Sequence, residues 1–372
     1  MKYIGSCKKI TFFIYSLRSG GAERVIIQLA KIIQEFYRVE ILTIEDKNDF
    51  VESLSECKNI SIKSLNKNSI LGSLWSLIVY IKKSNSSFFI SNVWPLTIIG
   101  SLMSFLFLKI KFIAIEHCNI FEEYKYKGKI FILLQKISIK ILYRFNTKII
   151  SVSKGVREAL IKVAPTLEYK IKVIYNPVRS EIIGNYHKFD KDLEYLKEFG
   201  GMKIIAIGTH NQQKNYPFLI NALKEINQRG INFICYIIGE GILQQETERL
   251  IIQNDLQEKI KCLGFKKDPR EFLVHADLFV LSSIAEGFGL VIVEALQCGI
   301  TPVVTDCPSG PSEIIGNQFG KLVRINDVEN FVENILFAFN NKIDPNLLIN
   351  RAKDFDESLI ANEYLELIKE LE

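Results

Sequence analysis

Apolar residues in this chain gather into unbroken runs of about five or six, separated by longer stretches in which they recur every three or four positions. Runs of that length predict strands covered on both faces, and the intervening period predicts helices, which together read as parallel α/β sheet. In the first half the strand-like runs are Ile10–Tyr15, Val39–Thr43, Ile60–Leu65, Phe88–Val93, Lys111–Ile115, Lys148–Val152 and Ile171–Tyr175. In the second they are Lys203–Gly208, Asn232–Ile238, Lys259–Leu263, Asp277–Leu281, Thr301–Thr305 and Gly320–Arg324. The pattern predicts an N-terminal domain over residues 1–178 and a C-terminal one over 201–350. Residues 179–200, polar and without a clear apolar period, read as the linker, and residues 351–372 end the chain in a helix.

After the first run come Gly20-Gly21, then Val25, Ile26, Leu29, Ile32 and Ile33 at helical spacing. Strand, glycine pair and helix open a Rossmann-like unit. The fingerprint G-x-G-x-x-G is missing, which argues against a nicotinamide or flavin enzyme. One run invites a different reading: Leu96–Leu108, LTIIGSLMSFLFL. It falls short of the roughly twenty residues a bilayer requires and is flanked by strand-like runs, so it reads as a buried helix.

The chain has 372 residues, 48% hydrophobic and 24% charged, which suits two folded domains. No secretory signal is visible. The seven cysteines show no CxxC pair and no metal-ligand spacing, so a reduced cytoplasm is the expected setting. A net charge of +5 is too small and too local for a nucleic-acid binder. It is uneven, however: between Lys109 and Lys154 ten Lys or Arg face three acids, Glu116, Glu122 and Glu123. Lys129, Lys136, Lys140 and Arg144 form one basic helical stripe there, with Ile130, Phe131, Leu133, Leu134, Ile137, Ile141 and Leu142 supplying apolar surface. Such a helix either rests on an anionic membrane surface or turns its apolar side to the core and its basic side to water. The pattern leaves both open.

The densest chemistry lies over residues 277–316. A strand runs through the polar turn Ser282 to Glu286 into Gly287-Phe288-Gly289; Leu290–Cys298 reads as the next helix, stopped by Gly299. Glycines at such a junction let the backbone approach a ligand, and the helix N-terminus favours an anion. Glu286 precedes the helix and Glu294 follows eight positions later. That spacing suits the two ends of one extended ligand and is too wide for a shared proton or a single metal. A diphosphate between two hydroxyl-rich groups, as in a nucleotide sugar, has that shape. In the first half, His117 follows the run ending at Ile115, on the edge where open α/β sheets hold their ligand groups.

E-G-F-G-L-V-I-V-E, continued by A-L-Q-C-G-I-T-P-V-V-T-D-C-P-S-G-P-S-E-I-I, resembles the E-x7-E signature of the retaining glycosyltransferases called family 4, in the branch that builds bacterial surface glycans. S-G-G-A-E-R-V resembles that family's first-domain loop, and T-H-N-Q-Q-K-N its G-R-x-x-x-x-K-[GN] loop. The resemblance covers essentially the whole chain. It implies the α/β GT-B architecture: two Rossmann-like domains facing across a cleft, with the C-terminal helix crossing back to the first. The implied donor site is Gly208, Thr209, Lys214, Gly239, Phe265, Glu286, Gly287, Phe288, Gly289, Leu290, Val291 and Glu294. Within it Glu294 would hold the ribose, Glu286 the transferred sugar, and Lys214 with the amides near Gly289 to Val291 the leaving diphosphate. Gly20, Gly21, Glu23 and His117 would face the acceptor; Glu286, His117 and Lys214 form the implied catalytic set. The chain departs from the pattern at Thr209, where the family has an arginine. A neutral hydroxyl cannot make the bidentate phosphate contact of a guanidinium, and His210 is one candidate to replace it.

The expected activity is therefore metal-independent transfer, with retention, of a hexose or N-acetylhexosamine from a UDP-sugar. The expected acceptor is a polyprenyl-diphosphate-linked glycan at the inner face of the cytoplasmic membrane, with the protein peripheral on that surface. Two other readings compete: a nucleotide-sugar epimerase on the same architecture, and a nucleotide-sugar-binding protein without transferase activity, which Thr209 favours. A requirement for an acceptor separates them.

Overall fold

The computed structural model describes residues 8–18, 20–49, 54, 55, 57–123, 127–179 and 190–372. The chain divides into two compact units, Met1–Val178 with Asp356–Glu372, and Arg179–Phe355. Each is built on one wholly parallel sheet.

In unit 1 the strands are β1 Lys9–Ile14, β2 Arg38–Thr43, β3 Ile60–Ser64, β4 Phe88–Asn92, β5 Lys111–Glu116, β6 Lys148–Ser151 and β7 Ile171–Val173. They lie in the order β3-β2-β1-β4-β5-β6-β7. From β1 the chain steps outward through β2 and β3, then returns to place β4 on the other side of β1. That reversal opens a crevice at the C-terminal ends of β1 and β4, the place where open α/β sheets bind ligands. Helices of eight or more residues are α1 Gly21–Ile33, α2 Ile70–Ser84, α3 Leu96–Leu106, α4 Lys129–Leu142 and α5 Lys154–Val163. The core follows from the strand pattern: β1 and β4 are buried almost throughout, and Phe13, Phe89 and Phe112 stack in sequence with centroids 5.5 and 5.3 Å apart.

Unit 2 repeats the plan with β8 Met202–Ile207, β9 Phe233–Ile238, β10 Ile260–Gly264, β11 Leu278–Leu281, β12 Thr301–Thr305 and β13 Lys321–Val323, ordered β10-β9-β8-β11-β12-β13. Here the reversal falls between β8 and β11. Its longer helices are α6 Lys191–Glu198, α7 Tyr216–Gln228, α8 Gln244–Gln253, α9 Leu290–Gln297, α10 Val328–Asn340 and α11 Pro345–Ala352. Phe218 of α7 and Phe331 of α10 meet over one face of the sheet at 5.1 Å.

Two sequence expectations change. The stretch 179–200, read as a linker, holds helix α6. Asp190 caps it by accepting from the amides of Asp192 and Leu193, and Leu196 is its one buried residue. Lys266 anchors Asp190 at 2.6 Å and Tyr236 donates to the Asp192 carbonyl at 3.2 Å, so polar contacts rather than an apolar stripe fix this helix. Residues 180–189 lie outside the described part. The second change concerns Leu96–Leu108, expected as a buried helix. In α3 the buried side holds Leu96 and Met103 with Thr97, Gly100, Ser101 and Ser104, while Leu102, Phe105 and Leu106 are exposed. Small hydroxyls are turned inward because they have partners there: Thr97 with Tyr143 at 2.7 Å, Ser101 with Asn146 at 2.6 Å, and Ser104 with the Phe145 carbonyl at 2.6 Å. Among the described residues no helix is long and apolar enough to cross a membrane.

The last helix, α12 Glu357–Leu371, belongs to unit 1. It packs on α1 with Ile360, Tyr364, Leu365, Leu367 and Ile368 buried, each large aliphatic side chain contributing about 1.5–3 kcal/mol. Tyr37 donates to Glu372 at 3.0 Å at its end.

Candidate active site

In unit 2 the chemistry collects at the β8/β11 reversal. Beyond β8 the chain makes a single turn, Gln212–Lys214, capped by Asn211, whose side chain accepts from the Lys214 amide at 3.1 Å. Beyond β11 runs the Ser282 to Glu286 loop. The two are stitched together: Ser282 Oγ donates to the Lys214 carbonyl at 2.7 Å, Gln213 Nε2 to the Ala285 carbonyl at 2.6 Å, and the Ile284 amide to the Gln213 carbonyl at 2.8 Å. This lacing brings Lys214 Nζ to 2.6 Å from Glu286 Oε1, with both side chains largely buried. Ser283 Oγ donates to the same oxygen at 2.6 Å, and Thr305 holds the Ser283 carbonyl at 2.5 Å. A buried ion pair so held is a pre-formed charge arrangement, in which little reorganisation is required when a charged ligand arrives.

Gly289 adopts φ +100°, a left-handed conformation, and hands the chain to α9 without a side-chain cap. The first amides of α9, from Leu290 and Val291, thus mark the positive end of a helix beside the Glu286 loop. Phe288 turns its ring inward onto Phe355 at 5.2 Å, leaving its backbone on the loop. Glu294, in the second turn of α9, is buried. The stem of Lys214 lies across Gly208, where a Cβ would sit 2.8 Å from Lys214 Cε. Gly239 meets the Gly208 carbonyl so closely that a Cβ would lie 2.2 Å from its oxygen; the glycine is demanded by protein backbone. Phe265 is half-exposed, and its amide donates to Glu240 at 3.2 Å.

Thr209 is exposed. His210 does not replace the missing arginine. Its ring is fully buried, stacked 4.7 Å from Tyr216 and bonded through Nδ1 to Thr247 at 3.1 Å; burial lowers its pKa, so it stays neutral. Lys214 is the cation that the structure places at this switch point.

In unit 1, Gly20 and Gly21 follow β1, Asn92 ends β4, and His117 follows β5, all at the C-terminal edge of that sheet. Ser19 of the same loop is outside the described residues. Glu23 folds back over Gly20, its Oε2 lying 2.1 Å from where a Cβ would sit, so a larger residue there would displace the Glu23 carboxylate. Burial pushes its carboxyl up to about 7. His117 is bonded through Nε2 to Asn92 Oδ1 at 3.0 Å, and burial lowers its pKa to about 4. Sequence reasoning missed Asn92, Ser283 and Gln213. Asn92 is a polar residue closing an apolar strand, which is a usable signal; Gln213 and Ser283 act through tertiary contacts that no spacing encodes.

Two Rossmann-like sheets with polar groups at both reversals define the GT-B glycosyltransferase architecture, and solved structures agree. Anabaena HepE, in a structure with UDP and glucose, matches with a TM-score of 0.79 at 21% identity over 97% of this chain and 99% of its own. The model for Glycosyltransferase Family 4 matches residues 19–181, and that for Glycosyl transferases group 1 matches residues 188–355. The chain belongs to the family 4 glycosyltransferases. It is 28% identical, over 97% of its length and 99% of the relative's, to the N-acetylgalactosamine-N,N'-diacetylbacillosaminyl-diphospho-undecaprenol 4-alpha-N-acetylgalactosaminyltransferase of Campylobacter jejuni. A second Campylobacter jejuni enzyme, a GalNAc-alpha-(1->4)-GalNAc-alpha-(1->3)-diNAcBac-PP-undecaprenol alpha-1,4-N-acetyl-D-galactosaminyltransferase, is 26% identical over 98% of this chain and 99% of its own.

Proposed function

We propose that this glycosyltransferase moves a hexose or N-acetylhexosamine from a UDP-sugar to a polyprenyl-diphosphate-linked glycan during bacterial glycan synthesis, at the inner face of the cytoplasmic membrane. The observation that carries the reading is the Lys214–Glu286 pair, laced into the β8/β11 reversal beside the start of α9. The full-length relatives named for undecaprenol-linked substrates support the acceptor class. HepE, solved with UDP, supports the carrier.

On this reading the donor diphosphate lies between Lys214 and the amides of Leu290 and Val291. Negative charge grows on it as the sugar–oxygen bond breaks, and a fixed cation with an aligned helix end lowers that barrier. Glu286 accepts hydrogen bonds from the transferred sugar, Glu294 from the ribose. The incoming acceptor hydroxyl bonds the same face of the sugar that the diphosphate leaves, which retains configuration. His117 and Glu23 position the acceptor from unit 1. Positive charge at the leaving group comes from protein groups, so transfer should persist in EDTA.

The test is UDP release from a panel of UDP-sugars, with and without polyprenyl-linked lipid extract. Release with one sugar, dependent on lipid and lost in Glu286→Ala, is the expected result. Release without acceptor overturns it in favour of a hydrolase, and conversion of the UDP-sugar into an isomer without release in favour of an epimerase. One observation favours a second reading: with Thr209 neutral and His210 uncharged, the phosphate loop offers Lys214 alone. Nucleotide binding without turnover of any UDP- or GDP-sugar would make the protein a binding module.

A further inference from the structure

Helix α4 has two apolar sides. Among its described side chains only Gln135 and Ile139 are fully buried, so a narrow strip holds it to unit 1. Opposite that strip Ile130, Leu133, Leu134, Ile137 and Ile141 are between 44% and 77% exposed. At 3.6 residues per turn these five fall within about 100° of the circumference, a single continuous face. Lys129, Lys136 and Lys140, all exposed, fall within about 40° along one border of it. The neighbouring helix α3 buries Leu96 and Met103 together with its hydroxyls and turns Leu102, Phe105 and Leu106 outward. Phe105 meets Phe145, just past the end of α4, edge to face at 5.4 Å, which joins the two surfaces.

A soluble helix ordinarily hides its large apolar residues; α3 leaves three of them exposed on its outer side, and α4 adds an exposed face bordered by lysine. We propose that this joint surface is a docking face for an anionic lipid bilayer, with the apolar residues entering the acyl boundary and the lysines meeting the head groups. Charge selects this occupant. Neither helix carries an Asp or Glu, so a second copy pairing through the same face would bring lysines no acidic partner. Neither helix is long enough to span, so the protein lies on the surface at this point. The proposal extends the lipid-linked acceptor reading by naming the residues that hold unit 1 at the membrane.

The test is co-sedimentation of the full chain with phosphatidylcholine vesicles, with and without phosphatidylglycerol. Binding should require phosphatidylglycerol and fall as salt rises. Lys136→Ala and Lys140→Ala should each weaken it about fivefold, and Leu133→Ser with Ile137→Ser about tenfold or more. No binding to either vesicle, or binding that none of these changes alters, overturns the proposal. So does self-association without lipid that Ile137→Ser abolishes, since the face would then join two copies. UDP release from detergent-dispersed lipid substrate requires no bilayer. Its loss in wild type overturns the transferase reading, whereas vesicle binding alone decides the docking face.

Discussion

Asn92 decides which nitrogen of His117 carries the proton. Its amide nitrogen donates to the Phe13 and Ile90 carbonyls at 3.3 and 3.0 Å, so its oxygen is the group that faces the ring, 3.0 Å from Nε2. An oxygen there accepts, so Nε2 bears the hydrogen and Nδ1 is a bare lone pair. Nδ1 is buried with no hydrogen-bond partner among the described residues; on the proposed reading it is the atom that would accept from the acceptor hydroxyl once the bound substrate reaches it. Asn92→Asp would place a carboxylate against Nε2 and favour the imidazolium, raising a pKa that burial holds near 4. The acid limb of the transfer rate should move up by about one pH unit or more. A purely structural role for Asn92 would lower the rate equally at every pH.

Lys214 and Glu286 act as one unit. Either Lys214→Ala or Glu286→Ala should lower kcat by about 10²–10³. The double variant should lose about as much as the worse single one, because removing one partner already disables the other. Strict additivity in steady-state kinetics would show that the two residues serve separate steps.

On the proposed reading Thr209 leaves the loop that meets the donor diphosphate a cation short, and the buried His210 does not compensate. Thr209→Arg should tighten UDP binding about tenfold, the effect of a new charge-assisted contact. Calorimetric titration showing no gain would mean that the diphosphate does not pass this position.

Glu23 has a carboxyl raised by burial from 4.5 to about 7. Between those values the folded chain binds a proton that the unfolded chain releases. Its contribution to stability is therefore fully present below pH 4.5 and lost as pH rises through 7. Glu23→Gln stays neutral throughout. Relative to wild type it should gain roughly 1–2 kcal/mol between those limits, less than the full shift because the side chain is partly open to solvent. Urea denaturation at about pH 4.5 and again above pH 7 measures this.

All thirteen strands were legible within a residue or two at their ends; the central ones stood out because parallel strands buried on both faces demand unbroken apolar sequence, while the edge strand β3, largely exposed, showed only as an alternating run. Helix α6 was not legible, since one buried leucine makes no period and the polar contacts of Asp190 and Asp192 are tertiary. α3 was legible in part: the helix and its core side, with Leu96 and Met103, were expected, but a run apolar on every side does not show which side faces out, and the partners of Thr97, Ser101 and Ser104 decide. In the candidate site Glu286, Glu294 and Lys214 stood out by motif. The lacing through Gln213 and Ser282 that sets the Lys214–Glu286 distance joins residues about seventy positions apart, beyond the reach of local pattern.

The assignment of α12 to unit 1 has a consequence for how the protein is made. Residues 179–355 form a self-contained unit that is complete before the chain reaches Asp356. Unit 1, whose strands precede unit 2 in the chain, waits for helix α12 until the whole of unit 2 has been made. The unit begun first is finished last. During translation the α1 surface that receives Tyr364, Leu367 and Ile368 stands bare while the whole of unit 2 is being produced, and a nascent chain stalled anywhere in that interval exposes it to aggregation and to chaperones.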